Sequence, residues 1–462
     1  MRKFDKSLRD LFYYLLSGAV SRLFPLLFLP LIASKLSENA FGLFSLYRLY
    51  ITLGATLLLL GIEQALFRLL PGKSEEEKDQ LTGTALWFVS ASGVIFLLLF
   101  LGGAHPIQTL LFRRHFTLPA ILLPLMIVFN SISTILITRY SAEKKSRKYF
   151  TINLVRTVVF FTLFALGLLL HYKLTAYFVS FFTAELLVYL VCLPLIIKSL
   201  KHGIRLVHLR PLFRIGLPLL GVMLTTLLLY QSDHYLIKFF RGIEATGIYN
   251  YGYRFAAAIG SFVLLSNNVW LPRLYERGET FLEKNLREYA ALITLAGETL
   301  YMGLLIVFYI FRKILIPPGF SQAWQVIIIA GFGYLFYAHA QLMDSWYILK
   351  NKNRSLLGIS FSILVLNLIL NFLFIPRYGL IAAAWTSTVS FAVLWLFLII
   401  YLKKTEKNYR FRFITIDFLV GLLPAVFYLV FSSLWLSMIL YAACAWFLLR
   451  GNRLFRRILL GR

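Results

Sequence analysis

The sequence predicts an all-α, polytopic membrane protein of about fourteen transmembrane helices. Two pseudo-symmetric six-helix lobes and two further C-terminal helices are expected. Three observations predict this. The 462 residues are 60% hydrophobic and 15% charged, with mean hydropathy +0.77, which leaves too little polar surface to cover a globule in water. Apolar runs near the ~20 residues that span a bilayer recur along the whole chain. The basic residues are segregated between alternate connectors.

The expected spans are 11–33, 43–65, 81–103, 118–138, 151–170, 175–197, 215–237, 247–269, 289–311, 323–349, 355–375, 379–401, 413–432 and 434–449. The first run is too long for a cleavable signal peptide and lacks a small-residue cleavage site, so it reads as helix one. With the N-terminus inside, 34 of the 47 Lys and Arg fall in cytoplasmic segments, 9 in outer loops and 4 within helices. The positive-inside rule then places both termini in the cytoplasm. It also accounts for the formal net charge of +27, so no nucleic-acid partner is expected. Membrane lipids are the expected surroundings, with anionic headgroups at the basic loops.

Domain organisation follows from the connectors. Residues 1–200 form the N-lobe (helices 1–6) and residues 201–405 the C-lobe (helices 7–12), joined by the basic linker Lys198–Arg214. Residues 406–462 carry helices 13 and 14 and a basic cytoplasmic tail. The tail Arg450–Arg462 alternates basic and apolar residues, the pattern of an interfacial helix. Cys192 and Cys444 lie in apolar runs without metal or disulfide spacing and read as core residues. No enzyme is expected, because no polar, acid-bearing catalytic loop is present; the longest outer loop, Gly102–Thr117, has no acid.

Three arginines break the apolar pattern. Arg22 lies about halfway through Leu11–Ala33, while Arg48 and Arg254 lie roughly two turns inside Leu43–Ala65 and Gly247–Val269. A cation at membrane depth costs about 2.5–3.5 kcal/mol on insertion scales unless it faces protein or water. Two of the three belong to a repeat. Phe41-Gly-Leu-Phe-Ser-Leu-Tyr-Arg48 parallels Thr246-Gly-Ile-Tyr-Asn-Tyr-Gly-Tyr-Arg254: a Gly at the outer mouth of a helix, then aromatics, then Arg. Both segments run outside to inside, as in a parallel repeat about an axis along the membrane normal. Tyr47, Tyr50, Tyr249, Tyr251 and Tyr253 crowd these mouths and read as an interfacial aromatic belt, with sugar stacking as the alternative.

Helices 1–12 resemble the Wzx-like polysaccharide flippases of the multidrug/oligosaccharidyl-lipid/polysaccharide (MOP) exporter superfamily. The resemblance is carried by Ser17-Gly-Ala-Val-Ser-Arg-Leu-Phe-Pro25, Lys35-Leu-Ser37, Phe41-Gly42, Gly61-Ile-Glu-Gln-Ala-Leu-Phe-Arg68 and Arg214-Ile-Gly-Leu-Pro218. Asp233, Gly247-Ile-Tyr249, Asn371-Phe-Leu-Phe-Ile-Pro-Arg-Tyr-Gly379 and Ala382-Ala-Ala384 follow in order. It implies a flippase moving undecaprenyl-pyrophosphate-linked oligosaccharide (O-antigen-like) repeat units from the inner to the outer leaflet of the cell inner membrane by alternating access. A polysaccharide polymerase is a candidate partner, and a monomer is expected. Lipid II flippases are a related branch with a Ser-Arg pair on helix one, matched by Ser21-Arg22. The Arg-Asp pair that they place next is replaced here by the apolar Leu23-Phe-Pro-Leu-Leu-Phe28. The third branch, cation-coupled multidrug exporters, calls for an acidic chamber that helix one does not supply.

Within this resemblance, Arg22, Arg48 and Arg254, with Asp233 nearby, are the candidate substrate-binding residues. Guanidinium groups grip phosphate oxygens in a bidentate fork and stay charged at any depth. The other reading is structural pairing with Glu63, Asp233 or Glu298. Arg156, one turn from its helix end, reads as a snorkelling residue. No cofactor is expected; coupling to protons or sodium is open. Glu185, Asp233, Glu298 and Asp344 are intramembrane acids that could carry a proton. The lipid II flippases imply a sodium site from Asp233, Asn367, Asn371 and Thr386 or Ser387, but they place an acid where Asn371 stands. The alternative for the two Asn, at i and i+4, is hydrogen-bond glue between helices.

Overall fold

A computed structural model describes residues 2–102, 118–349, 352–405 and 411–451. The outer loop 103–117 and the tail beyond Gly451, with its expected interfacial helix, lie outside the described residues. Among those described, all regular structure is helical. In chain order the helices are α1 (Arg2–Lys35), α2 (Glu38–Leu59), α3 (Ile62–Leu69), α4 (Glu75–Gly102), α5 (Leu118–Ala142), α6 (Ser146–Leu169) and α7 (Lys173–Leu200). Then follow α8 (Leu206–Leu315), a 3-10 turn (Pro318–Phe320), α9 (Ala323–Leu349), α10 (Asn353–Thr405), α11 (Phe411–Phe431) and α12 (Leu434–Gly451).

Two of these helices cannot be single rods. The apolar stretch Leu206–Ser261 has 56 residues, about 84 Å at 1.5 Å per residue, against a hydrocarbon core of ~30 Å. Its turning point is Gly242, at φ 90°, where a side chain would be strained. The 50-residue stretch Ser355–Lys404 breaks at Gly379, with φ 67° and ψ −141°. Arg241 covers the carbonyls freed just before this break, donating to Ile375 O at 3.2 Å and Pro376 O at 2.7 Å. Among the described residues, eleven helical segments are long and apolar enough to span a membrane; two of them have the length for two crossings each, and the shorter Leu434–Arg450 completes the expected fourteen. Their outward faces are apolar: Leu27, Leu98, Leu99, Ile310, Val430 and Ile439 are all exposed, as lipid contact requires.

Several expected boundaries differ, and two of them are instructive. Helix one begins at Arg2 rather than residue 11, because a helix can run on into the polar headgroup region past its apolar part. The second run ends at Leu59 instead of residue 65. Leu60 and Gly61 adopt φ 50° and 75°, and Gly61 lies so close to the backbone of Gly216 that a Cβ would sit 2.2 Å from its carbonyl oxygen. Chain direction changes there, and α3 starts.

The chain divides into two compact units, Met1–Leu36 with Leu43–Leu228, and Ser37–Gly42 with Leu229–Arg462. In the first, α1 packs along α6, α6 along α7, and α4 against α5 and α7. Its core joins Leu59, Ile62, Leu66, Leu86, Ile135 and Cys192. A buried ionic cluster closes one end: Arg139, 2% exposed, lies 3.2 Å from Asp79 and 2.7 Å from Glu143, and Asp79 also meets Lys198 at 2.7 Å. In the second, α9 packs along α10 and α11 along α12. The repeat glycines meet inside this unit. A Cβ on Gly42 would lie 2.1 Å from Ile243 O, and one on Gly247 would lie 2.3 Å from Glu38 O. Both positions need the smallest residue because two backbones touch there. Tyr47, Tyr50, Tyr249, Tyr251 and Tyr253 are all at most 5% exposed. They are packing residues of the two interiors and not the belt their outer position suggested.

Candidate functional site

Each unit has its own polar interior. In the first, α1, α2, α5, α6 and α7 enclose a cavity of about 250 Å³. Ser21, Arg48, Asn130, Asn153, Arg156 and Glu185 supply its polar lining, and Tyr177, Phe160 and Phe181 its aromatic wall. Glu185 is 1% exposed. It accepts hydrogen bonds from Arg156 Nη2 and Ser133 Oγ, so its charge is fully compensated. Arg48 stands over the Phe44 ring, 6.0 Å from its centroid, and Phe44 is held edge-on against Tyr177 at 5.1 Å. Two guanidinium groups therefore share one cavity with one carboxylate. The balance is a net positive charge, walled by amides and rings and at membrane depth.

The sequence-predicted arginines do not all enter this cavity. Arg48 lines it. Arg22 follows the lining residue Ser21 but is itself exposed on α1; neighbouring positions on a helix point about 100° apart. Arg254 belongs to the second unit, with its guanidinium over Phe41 at 6.0 Å. Arg156, read from sequence as a snorkelling residue, instead turns inward to Glu185. The signal for it was available: Glu185 is a mid-helix acid that needs a cation, and Arg156 is an intramembrane arginine on the preceding helix.

The second unit holds a polar network in which the residues considered for ion coupling come together. Asp233, 1% exposed, accepts hydrogen bonds from Tyr249 OH, from Ser387 Oγ at 3.2 Å and from the His234 backbone N–H at 2.8 Å. His234 Nδ1 lies 2.7 Å from its Oδ1. Beside it, Ser232 Oγ donates to Asn367 Oδ1 at 3.0 Å and Asn371 Nδ2 donates to the same oxygen at 2.9 Å. Asn367 Nδ2 donates to Ser390 Oγ at 3.0 Å, and Thr386 Oγ1 donates to Asn371 Oδ1. The i, i+4 spacing of Asn367 and Asn371 thus forms a direct bond, and both amides are satisfied by protein groups. Nothing in the sequence marks His234 except its position next to Asp233. Glu298, another coupling candidate, lines a different cavity. Among the described residues no group of three or more His, Cys, Asp or Glu is placed to hold a metal. Cys192 and Cys444 are free and buried, as expected.

Apolar outer faces, helical segments enough for fourteen crossings and buried polar sites inside each unit describe a polytopic helical membrane protein. Residues 7–277 match the polysaccharide biosynthesis protein family, and the chain belongs to that family. Among solved structures, similarity extends to the lipid II flippase MurJ in an inward closed conformation, with TM-score 0.67, 16% identity and coverage of 99% of this chain and 98% of that one. An inward-facing multidrug resistance MATE family transporter of the MOP superfamily follows at TM-score 0.59 and 16% identity, over 86% of this chain and 96% of that one. A MOP superfamily transporter from Pyrococcus furiosus aligns at TM-score 0.54 and 14% identity, over 86% and 95%. An uncharacterized membrane protein of Methanocaldococcus jannaschii is 26% identical over 236 residues, 48% of this chain. The chain spans 44% of the length of that relative.

Proposed function

We propose that this protein is a flippase that moves undecaprenyl-pyrophosphate-linked oligosaccharide units from the inner to the outer leaflet of the cell membrane by alternating access. The observation that carries this reading is the cavity of the first unit, where Arg48 and Arg156 face a single carboxylate, Glu185. A pyrophosphate is the anionic link between the polyprenyl tail and the sugars. A guanidinium grips it through paired charge-assisted hydrogen bonds. Asn130, Asn153 and the aromatic wall supply amide and ring contacts suited to sugar hydroxyls and faces. Family membership in polysaccharide biosynthesis supports a glycan as the cargo.

The cation exporters of the superfamily are a poorer fit, because a net positive cavity repels their substrates. Lipid II transport is the second reading, favoured by the overall likeness to MurJ. Against it stands the apolar segment Leu23–Phe28 after Arg22. Complementation separates the readings. In a strain lacking its O-antigen flippase, the wild-type chain restores surface glycan, Arg48→Ala abolishes the rescue, and Arg48→Lys retains only part of it, since an ammonium keeps the charge and loses the fork. Full surface glycan with Arg48→Ala sinks the proposal. Rescue of a lipid II flippase-depleted strain, without rescue of glycan export, would transfer the assignment to the second reading.

A further inference from the structure

The second unit contains another buried polar pocket, distinct from the Asp233 network. Glu298, in the last part of α8, is 2% exposed, and neither of its carboxyl oxygens has a hydrogen-bond partner in the protein. Across from it on α9, His339 is 1% exposed. The two residues line one small cavity of about 10 Å³, closed by apolar side chains including Ile293, Leu335, Phe418 and Leu422. That is room for about one water molecule.

The tautomer of His339 follows from its neighbour. Trp395 Nε1 donates to His339 Nδ1 at 2.9 Å. An indole nitrogen only donates, so Nδ1 carries the lone pair, and the neutral ring keeps its proton on Nε2. Stacking on Phe418, 4.3 Å between centroids, fixes the ring in this pose. Nε2 has no partner in the protein. The cavity therefore presents one unsatisfied donor, Nε2–H, and a carboxyl group with both oxygens unsatisfied. A water accepting from Nε2–H and donating to a Glu298 oxygen would satisfy both residues.

The charge state follows from the surroundings. No Lys or Arg lines the cavity. On α8, Tyr301 is engaged with Ile328 O at 3.2 Å. On α11, Asp417 is paired with Arg287 at 2.8 Å. On α12, Tyr441 shares a 2.6 Å hydrogen bond with Thr299, and Cys444 is buried. An ionised carboxylate would have no compensating cation and little solvent. His339 cannot take the proton in its place without losing the Trp395 bond, because a doubly protonated ring has no acceptor.

We propose that Glu298 and His339, bridged by one water, form a buried proton-binding site in the second unit, with Glu298 carrying the proton and His339 positioning the water. Infrared difference spectroscopy of the full-length protein in lipid nanodiscs tests this without any transported substrate. At neutral pH the wild type is expected to show a protonated-carboxyl carbonyl band that is lost in Glu298→Gln and shifted in frequency in His339→Phe. If Glu298→Gln does not fold, Glu298→Asp serves, moving the band instead of deleting it. No carboxyl band attributable to Glu298 at neutral pH would overturn the site. A band indifferent to His339→Phe would overturn the shared water. Either failure leaves the glycan-export reading standing, because the readout does not depend on what is carried.

Discussion

Arg156 and Glu185 show how one residue can hold another in place for function. The pair lies inside the membrane and Glu185 is 1% exposed, so removing only the cation strands a buried carboxylate. Such a loss costs about 3–5 kcal/mol. Arg156→Ala is therefore expected to lower the melting temperature of the detergent-solubilised protein. Arg156→Ala combined with Glu185→Gln recovers much of that loss; equal destabilisation in both would argue against the pairing. The consequence for transport differs from that for stability. The double variant leaves Arg48 as the sole cation of the cavity, so glycan export is expected to fall even where folding is restored. In the second unit, Asn371→Leu removes hydrogen bonds to Asn367 and Thr386. The expected cost is about 0.6–2 kcal/mol, the span found for side-chain hydrogen bonds inside membrane proteins, and is read from chemical denaturation in mixed micelles.

Elements in this chain are positioned by close backbone contacts and by buried charge. Gly42 and Gly247 allow α2 and α8 to touch where a Cβ would collide with a carbonyl at 2.1 and 2.3 Å. Gly247→Val is thus expected to destabilise by at least the 1–3 kcal/mol typical of overpacking, measured as lost thermal stability. Substitution at Gly221 or Gly303, where an added Cβ meets nothing within 4 Å, serves as the control. The cluster at Arg139 acts at the other kind of junction. It ties α5 to Asp79 on α4, which in turn holds Lys198 of α7. Arg139→Met is expected to cost about 3–5 kcal/mol, because Asp79 and Glu143 remain buried with less compensation. A loss below about 1 kcal/mol would mean that lysines take over the arginine's place. Neither kind of junction can be inferred from hydrophobic runs, which report that a helix exists but not where it touches another. The early end of α2 at Leu60-Gly61 has the same origin.

At the scale of the molecule, the basic loops set an orientation that can be measured. The two native cysteines are buried, so a single introduced cysteine reports its own side of the membrane. Lys145→Cys, in a connector expected inside, should react only with a membrane-permeant thiol reagent in intact cells. Lys173→Cys, in a connector expected outside, should be blocked by an impermeant one. The reverse pattern would invert the topology and with it the direction of transport.

Membrane class and helix number were legible in the chain itself, because hydrocarbon penalises every charge and every unpaired backbone group. Asp233, Asn367, Asn371, Thr386 and Ser387 could be grouped through the family resemblance, and the amide pair through its helical spacing as well. Tertiary structure alone decided which of the intramembrane arginines share a cavity. Arg48 and Arg156 lie on different helices, and Arg22 on α1 is not among the lining residues although its neighbour Ser21 is. A side chain's facing depends on helix rotation and tilt, which long-range packing sets and an all-round apolar helix does not encode in its own periodicity. The same holds for Glu298 and His339, 41 residues apart in sequence, which only the packing of α8 against α9 brings to one cavity.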